Sequence, residues 1–188
     1  MLAVSVDASA TLIDFEDQSG AQTPVASGYN GLVWNSNAGD VWTLNGTTYQ
    51  DQSSGYTTLA NALAGDNVAY NAYGTNPVDI TGANGSSFDL TSAWFASAWD
   101  SVLTLNFTGL RNGVEIYSTS LDARRRTAQQ VVFNWSDIDT FRIMDFGNHF
   151  AMDNLVINEN ASVPEPSTLA LMSLGLAGFG FSRKKRAA

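Results

Sequence analysis

Carboxylates are the most plentiful reactive side chains in this 188-residue chain: eighteen Asp and Glu, against nine Lys and Arg, one His and no Cys. Without cysteine there is no thiol nucleophile, no disulfide and no Cys-ligated zinc. A lone histidine, His149, cannot build a multi-His metal site. What remains for carboxylates is hard-cation binding, paired acid–base work and hydrogen bonding in turns. The sharpest case is Asp153. Along the strand pattern Phe150–Ile157 it shares a face with Ala151, Leu155 and Ile157. A carboxylate among apolar neighbours is costly unless it is paired, hydrogen-bonded or bound to metal. Near the other end, Asp14 and Glu16 fall on one face and Asp17 follows. If the first and last strands pair, Glu16 and Asp153 converge, and backbone carbonyls would complete the roughly six to eight oxygens of a structural calcium ion. The alternative is that Asp153 caps a loop through backbone N–H groups while Glu16 is solvated. No Asp-x-Asp-x-Asp-Gly loop adds to the metal reading.

Aromatic residues are the second source of chemistry, since the amphipathic faces of Trp and Tyr match those of sugar rings. The chain has five Trp and six Tyr, most of which a core must absorb. Tyr29, Tyr49 and Tyr56 lie in polar, loop-like sequence, and Tyr117 lies on the Glu115/Thr119 face of its strand. These four are the predicted exposed, ligand-binding rings. Catalysis has less to work with. Asp40, Asp66 and Asp137 sit beside Gly, Ser or Asn as turn acids do, and Asp51 and Asp139 are read as solvated turn acids with them. Asp145 and His149 are close in sequence, but no Gly-x-Ser-x-Gly elbow accompanies them, and no catalytic residue is predicted. Arg124-Arg125-Arg126 reads either as a solvated loop or as a contact for acidic polysaccharide or lipopolysaccharide, where Arg pairs bidentately with carboxylate or phosphate. Ice binding needs a flat Thr array, which Thr47-Thr48, Thr57-Thr58 and Thr119 do not form.

The elements that must position these residues are strands. Leu103, Leu105 and Phe107 alternate with Thr104, Asn106 and Thr108, the period of a half-buried strand. Asn112-Gly113 then separates this run from Val114–Ser118, a hairpin signal. Val131, Phe133 and Trp135 alternate likewise, as do Phe141 and Ile143. Earlier strands are predicted at Thr11–Phe15, Gly31–Trp34, Val41–Asn45, Asn67–Tyr73 and Ser87–Leu90, with Thr58–Ala64 as one helical turn or a loop. Nine or ten short strands with Gly/Asn/Asp turns predict an all-β fold, an antiparallel β-sandwich (jelly roll) over residues 11–160. No repeat period suggests a solenoid.

Charge separates this body from its ends. No lysine precedes Lys184. Residues 11–164 hold five Arg against sixteen Asp and Glu, an excess of eleven negative charges, which excludes a nucleic-acid binder that needs a basic face. In residues 161–188 the order is Val163-Pro164-Glu165-Pro166, an apolar run Leu169–Phe181 and the basic block Arg183-Lys184-Lys185-Arg186. Leu169, Leu171, Leu174, Leu176, Phe179 and Phe181 predict a short hydrophobic, membrane-seeking helix. Its thirteen residues span only roughly 20 Å of a ~30 Å hydrocarbon layer. This three-part order resembles the PEP-CTERM sorting signal. The resemblance implies recognition of Pro164, Glu165 and Pro166 by a membrane-embedded exosortase and a transient anchor in the inner membrane. It further implies export from a Gram-negative bacterium to the surface or extracellular matrix. Export needs an N-terminal signal, of which residues 1–10 hold a remnant. Ala8-Ser9-Ala10 fits a cleavage site, but Leu2–Val6 is too short for the apolar region and no basic residue precedes it. A start further upstream is expected.

Several segments of the body also resemble a domain often found ahead of such tails. They are Ile13–Asp17, Tyr29–Trp34, Val68–Gly74, Phe88–Leu90, Ala93–Phe95 and Phe150–Asn154. That domain looks like a jelly roll of the carbohydrate-binding-module type, and the resemblance implies calcium at Glu16 and Asp153. The expected function is non-enzymatic: an exported protein that binds, or is embedded in, exopolysaccharide. An inert matrix protein and a glycan hydrolase are the alternatives.

Overall fold

The computed structural model describes residues 10–34, 41–145 and 148–158. The sorting motif Pro164–Pro166, the apolar run Leu169–Phe181, the basic block Arg183–Arg186 and residues 1–9 lie outside the described residues, as does the predicted C-terminal helix. Twelve strands and one α-helix make up the described part. In chain order the strands are β1 (Thr11–Ile13), β2 (Ala21–Pro24), β3 (Leu32–Val33), β4 (Val41–Asn45), β5 (Asn67–Asn71) and β6 (Val78–Gly82). They continue as β7 (Phe88–Ser97), β8 (Val102–Arg111), β9 (Val114–Arg124), β10 (Gln129–Ile138), β11 (Thr140–Met144) and β12 (Phe150–Ile157). Helix α1 (Gly55–Leu63) lies between β4 and β5. One sheet has the order β10-β7-β12-β5-β4-β2, with β1 also paired to β12; the other has the order β3-β6-β11-β8-β9. Every pairing is antiparallel. The fold is the predicted antiparallel β-sandwich, and its first and last strands do pair, Thr11 opposite Ile157 and Ile13 opposite Leu155.

Alternation builds the core between the sheets. Leu103, Leu105 and Phe107 of β8 point inward while Val102 and Thr104 are exposed. Phe95 of the first sheet meets Phe107 of the second at a ring separation of 4.8 Å. The β8–β9 turn falls at Asn112 and Gly113, both with positive φ (51° and 75°), as a two-residue turn matched to strand twist requires. Gly109 faces Trp135: a Cβ there would lie 2.9 Å from its ring. The missing side chain lets Tyr117 and Trp135 stack at 5.5 Å, 7° from parallel.

Four elements differ from the sequence expectation. Strands β2 and β6 are additional, and β7 runs seven residues past Leu90. The segment read as one helical turn or a loop is a nine-residue helix. Ser54 caps it by accepting from the Thr57 N–H at 3.3 Å, and the Gly55 N–H donates to the Ala98 carbonyl at 2.9 Å. A side chain at Gly55 would collide with the Ser97 carbonyl, so only glycine lets the helix start dock this closely. Tyr56, Leu59 and Ala60 then bury against the outer face of the first sheet with Leu44, Val68, Ala96 and Ala151. That sheet is therefore covered on both faces, by the second sheet and by α1.

Asp153 also moves. Asn154 has φ 47° and inserts an extra residue between the Asp153–Trp94 and Val156–Ser92 pairs. This bulge flips the strand's alternation. Ala151 belongs to the helix-covered cluster, whereas Leu155 and Ile157 belong to the inter-sheet core. Asp153 thus shares a face with Ala151 but not with Leu155 and Ile157.

Candidate functional site: an aromatic cleft beside the helix

The helix covers only part of the outer face of the first sheet. Beside it lies a cleft of about 400 Å³. Strands β4 and β5 supply Trp42, Leu44 and Tyr70, with Trp42 directly opposite Tyr70 in register. The loop before α1 supplies Tyr49, the helix Tyr56, the turn after β5 Tyr73, the segment after β7 Trp99, and the residue before β12 His149. An adjoining depression of about 300 Å³ shares Gln22, Leu44 and Tyr49 and adds Asn45, Thr48 and Gln50. A row of rings therefore runs into a rim of amide and hydroxyl groups.

The rings brace one another. Tyr56 lies 5.1 Å from Tyr49, 5.4 Å from Trp99 and 5.5 Å from Tyr70, all near edge-to-face, an arrangement that adds attraction beyond burial. Tyr56 is the floor, 2% exposed. Tyr49 and Trp99 are half-buried walls. Tyr73 is 81% exposed and meets Trp42 edge-on at 5.3 Å. Tyr73 and Gly74 both have positive φ (56° and 67°). For a bulky residue that is an unusual conformation, of the kind that clusters at ligand sites.

The polar surroundings are fixed too. Thr47 Oγ1 donates to Asp66 Oδ1 at 2.8 Å, and the Thr48 N–H to Asn45 Oδ1 at 2.8 Å. Thr57 Oγ1 donates to the Gly46 carbonyl at 2.8 Å, and Gln52 Nε2 to the Tyr49 carbonyl at 2.5 Å. These bonds hold the Tyr49 loop against α1. Burial pushes the Tyr56 hydroxyl far up and the Tyr70 hydroxyl up to about 12, so both stay neutral donors. Burial lowers His149 against the pull of Asp145, which keeps the imidazole neutral at pH 7. The cleft thus offers ring faces and neutral hydrogen-bonding groups.

The four predicted rings divide. Tyr49 and Tyr56 reach the cleft, although Tyr56 is buried where exposure was expected. Its polar sequence surroundings belong to a helix start packed on the sheet. Tyr29 does not reach the cleft. Its hydroxyl donates to Asp17 Oδ1 at 2.6 Å, and its ring packs 6.1 Å from both Phe15 and Trp34. Tyr117 is half-buried in its stack on Trp135. Trp42, Tyr70, Tyr73, Trp99 and His149 were missed as site residues. The signal available was an outer face of β4 and β5 as apolar as the inner one.

Glu16 and Asp153 do converge. Glu16 Oε1 accepts from the Asp66 and Asn67 N–H groups at 2.8 and 2.9 Å. Asp153 Oδ1 accepts from the Asn154 N–H at 2.7 Å. A Cβ added at Gly65 would lie 2.5 Å from Glu16 Oε1 and 4.0 Å from Asp153 Oδ2. Burial chiefly, with Glu16 and Asp14 adding repulsion, pushes Asp153 up to about 8. Among the described residues no three His, Asp or Glu cluster to hold a metal ion. The donors on hand for a cation are the second oxygens of two carboxylates.

Residues 162–185 match the family described as the PEP-CTERM protein-sorting motif. No curated protein matches the chain. Among solved structures, the chain is similar to CBM29_1, a family 29 carbohydrate-binding module from Piromyces equi, at 9% identity over 84% of this chain and 95% of that one, TM-score 0.42. It is similar to the K1 cleaved adhesin domain of Lys-gingipain from Porphyromonas gingivalis W83, at 11% identity over 81% and 99%, TM-score 0.45. It is also similar to the CBM22-1-GH10 modules of Clostridium thermocellum endo-1,4-beta-D-xylanase 10B, at 11% identity over 84% of this chain and 30% of that one, TM-score 0.45. The chain carries, after an antiparallel β-sandwich, the sorting motif of an exported, exosortase-processed protein.

Proposed function

We propose that the β-sandwich binds a polysaccharide in the aromatic cleft and that the protein acts at the cell surface or in the extracellular matrix without catalysing a reaction. The observation that carries this reading is the row of braced rings ending in the exposed Tyr73. Sugar rings stack on such faces, and Gln22, Asn45, Thr48 and Gln50 lie where hydroxyls would need partners. Among the described residues the cleft lining contains no carboxylate, whereas glycoside hydrolysis ordinarily needs two. This favours binding over hydrolysis. The sorting motif supports a site of action outside the cytoplasm.

Affinity electrophoresis through gels loaded with different polysaccharides tests the proposal. Retardation by at least one polymer, lost in Tyr49→Ala and Trp99→Ala, is the expected result. Unaltered migration across neutral and acidic polymers would favour the inert-matrix alternative.

Calcium at Glu16 and Asp153 is proposed as a structural ion of the same domain. Its support is the convergence of both carboxylates beside Gly65 and the burial of Asp153 with no cationic side chain in salt-bridge range among the described residues. The remaining oxygens would come from backbone carbonyls and water.

A further inference from the structure

The described residues contain five arginines. Arg111 pairs with Asp137 at 3.5 Å and Arg142 with Asp79 at 2.7 Å. The other three are consecutive, Arg124–Arg126, where β9 ends. Among the described residues they have no carboxylate within salt-bridge distance. With Ser101 and Thr127 they line a depression of about 180 Å³. Arg124 and Arg126 are exposed. Arg125 is half-buried; its Nη1 donates to the Trp99 carbonyl at 3.1 Å, and its Nε is buried with no acceptor. A merely solvated loop has no reason to bury the Nε of a guanidinium without an acceptor. The nearby Asp51 accepts from the Ser53 N–H and Oγ at 2.9 and 2.7 Å, both through Oδ1; it feels the field of Arg125 and Arg126 but lies beyond salt-bridge distance of them. The Arg125–Trp99 bond joins this cationic depression to a wall of the aromatic cleft, on a protein of net charge -9.

We propose that Arg124–Arg126 bind carboxylate groups of an acidic polysaccharide whose sugar rings occupy the adjoining cleft. The inference rests on the cleft reading above and names the polymer class. A uronic acid presents both a ring face for Trp99 and Tyr49 and a planar carboxylate for a guanidinium fork. A neutral polymer would use the rings and leave the three arginines without a carboxylate among the described residues.

The test is affinity electrophoresis of the full chain through sodium polygalacturonate and through the same polymer with its carboxyl groups reduced to alcohols. Arg124→Gln/Arg126→Gln is the informative variant, because both side chains are exposed and Arg125 keeps its hold on Trp99. Polygalacturonate should retard the protein, with affinity falling about tenfold in the double variant, about tenfold on carboxyl reduction, and steeply with added salt. Equal retardation by both polymers, or no effect of the double variant while Tyr49→Ala still abolishes binding, overturns the arginine assignment and leaves the cleft standing. Loss in the double variant with Tyr49→Ala unaffected leaves an anion site and overturns the cleft. No retardation by polygalacturonate overturns the proposal.

Discussion

Asp153 shows what burial does to a carboxylate. Enclosed beneath the helix side of the first sheet and facing Glu16, it holds its proton up to about pH 8. The unfolded chain gives that proton up near pH 4. Between these values the folded state binds more protons than the unfolded one, so stability falls as pH rises and levels off above about 8. In EDTA, the melting temperature should drop by several degrees from pH 5 to pH 8. Asp153→Asn, which keeps an acceptor for the Asn154 N–H, should flatten that slope and gain ~2 kcal/mol at pH 8. A pH-independent melt of the wild-type protein would contradict the buried carboxylate. With calcium bound at Glu16 and Asp153, millimolar calcium at pH 8 should restore the lost stability, by about 2.7 kcal/mol at a hundredfold excess over Kd. No shift would leave Glu16 as the acceptor of two backbone N–H groups and Asp153 as a protonated buried acid.

Helix α1 decides how the cleft is built, because it sets the Tyr56 floor and props the Tyr49 loop. Gly55→Ala drives a methyl into the Ser97 carbonyl, and should lower stability by about 2–4 kcal/mol while weakening glycan binding. Wild-type stability in that variant, measured by denaturant melts, would show that the helix start is not tightly docked. This element was poorly legible in the sequence. Its first residue is glycine and its apolar stripe is short, so Thr58–Ala64 suggested no more than one turn. Strand β5 is buried along its whole length, and β7 along most of its own. Strands covered on both faces lose the alternation that marks an exposed edge. That is why the far half of β7 and the outward-facing Trp42 and Tyr70 escaped notice. The β8–β9 hairpin was legible because one face meets solvent and Asn112-Gly113 admits few other turns. The pairing of the first and last strands, and with it the approach of Glu16 to Asp153, was also legible. The bulge at Asn154 was not, since nothing in the local sequence requires Asn to take positive φ.

At the scale of the molecule, a rigid sandwich presents a cleft and a C-terminal motif supplies an address. The two are separable: deleting residues 162–188 should leave the cleft's glycan affinity unchanged while the protein loses its normal surface location in fractionated cells. Normal location after that deletion would overturn the role of the motif. Sugar binding is tested most directly at Tyr73, which is 81% exposed and belongs to neither core cluster. The measurement is calorimetric titration of wild type and Tyr73→Ala with a polysaccharide fragment that the wild-type protein retains. A loss of about tenfold in affinity, the scale of one stacked ring, with an unchanged melting temperature, is the expected result. Equal affinity in the two proteins would contradict a sugar-binding cleft on this face.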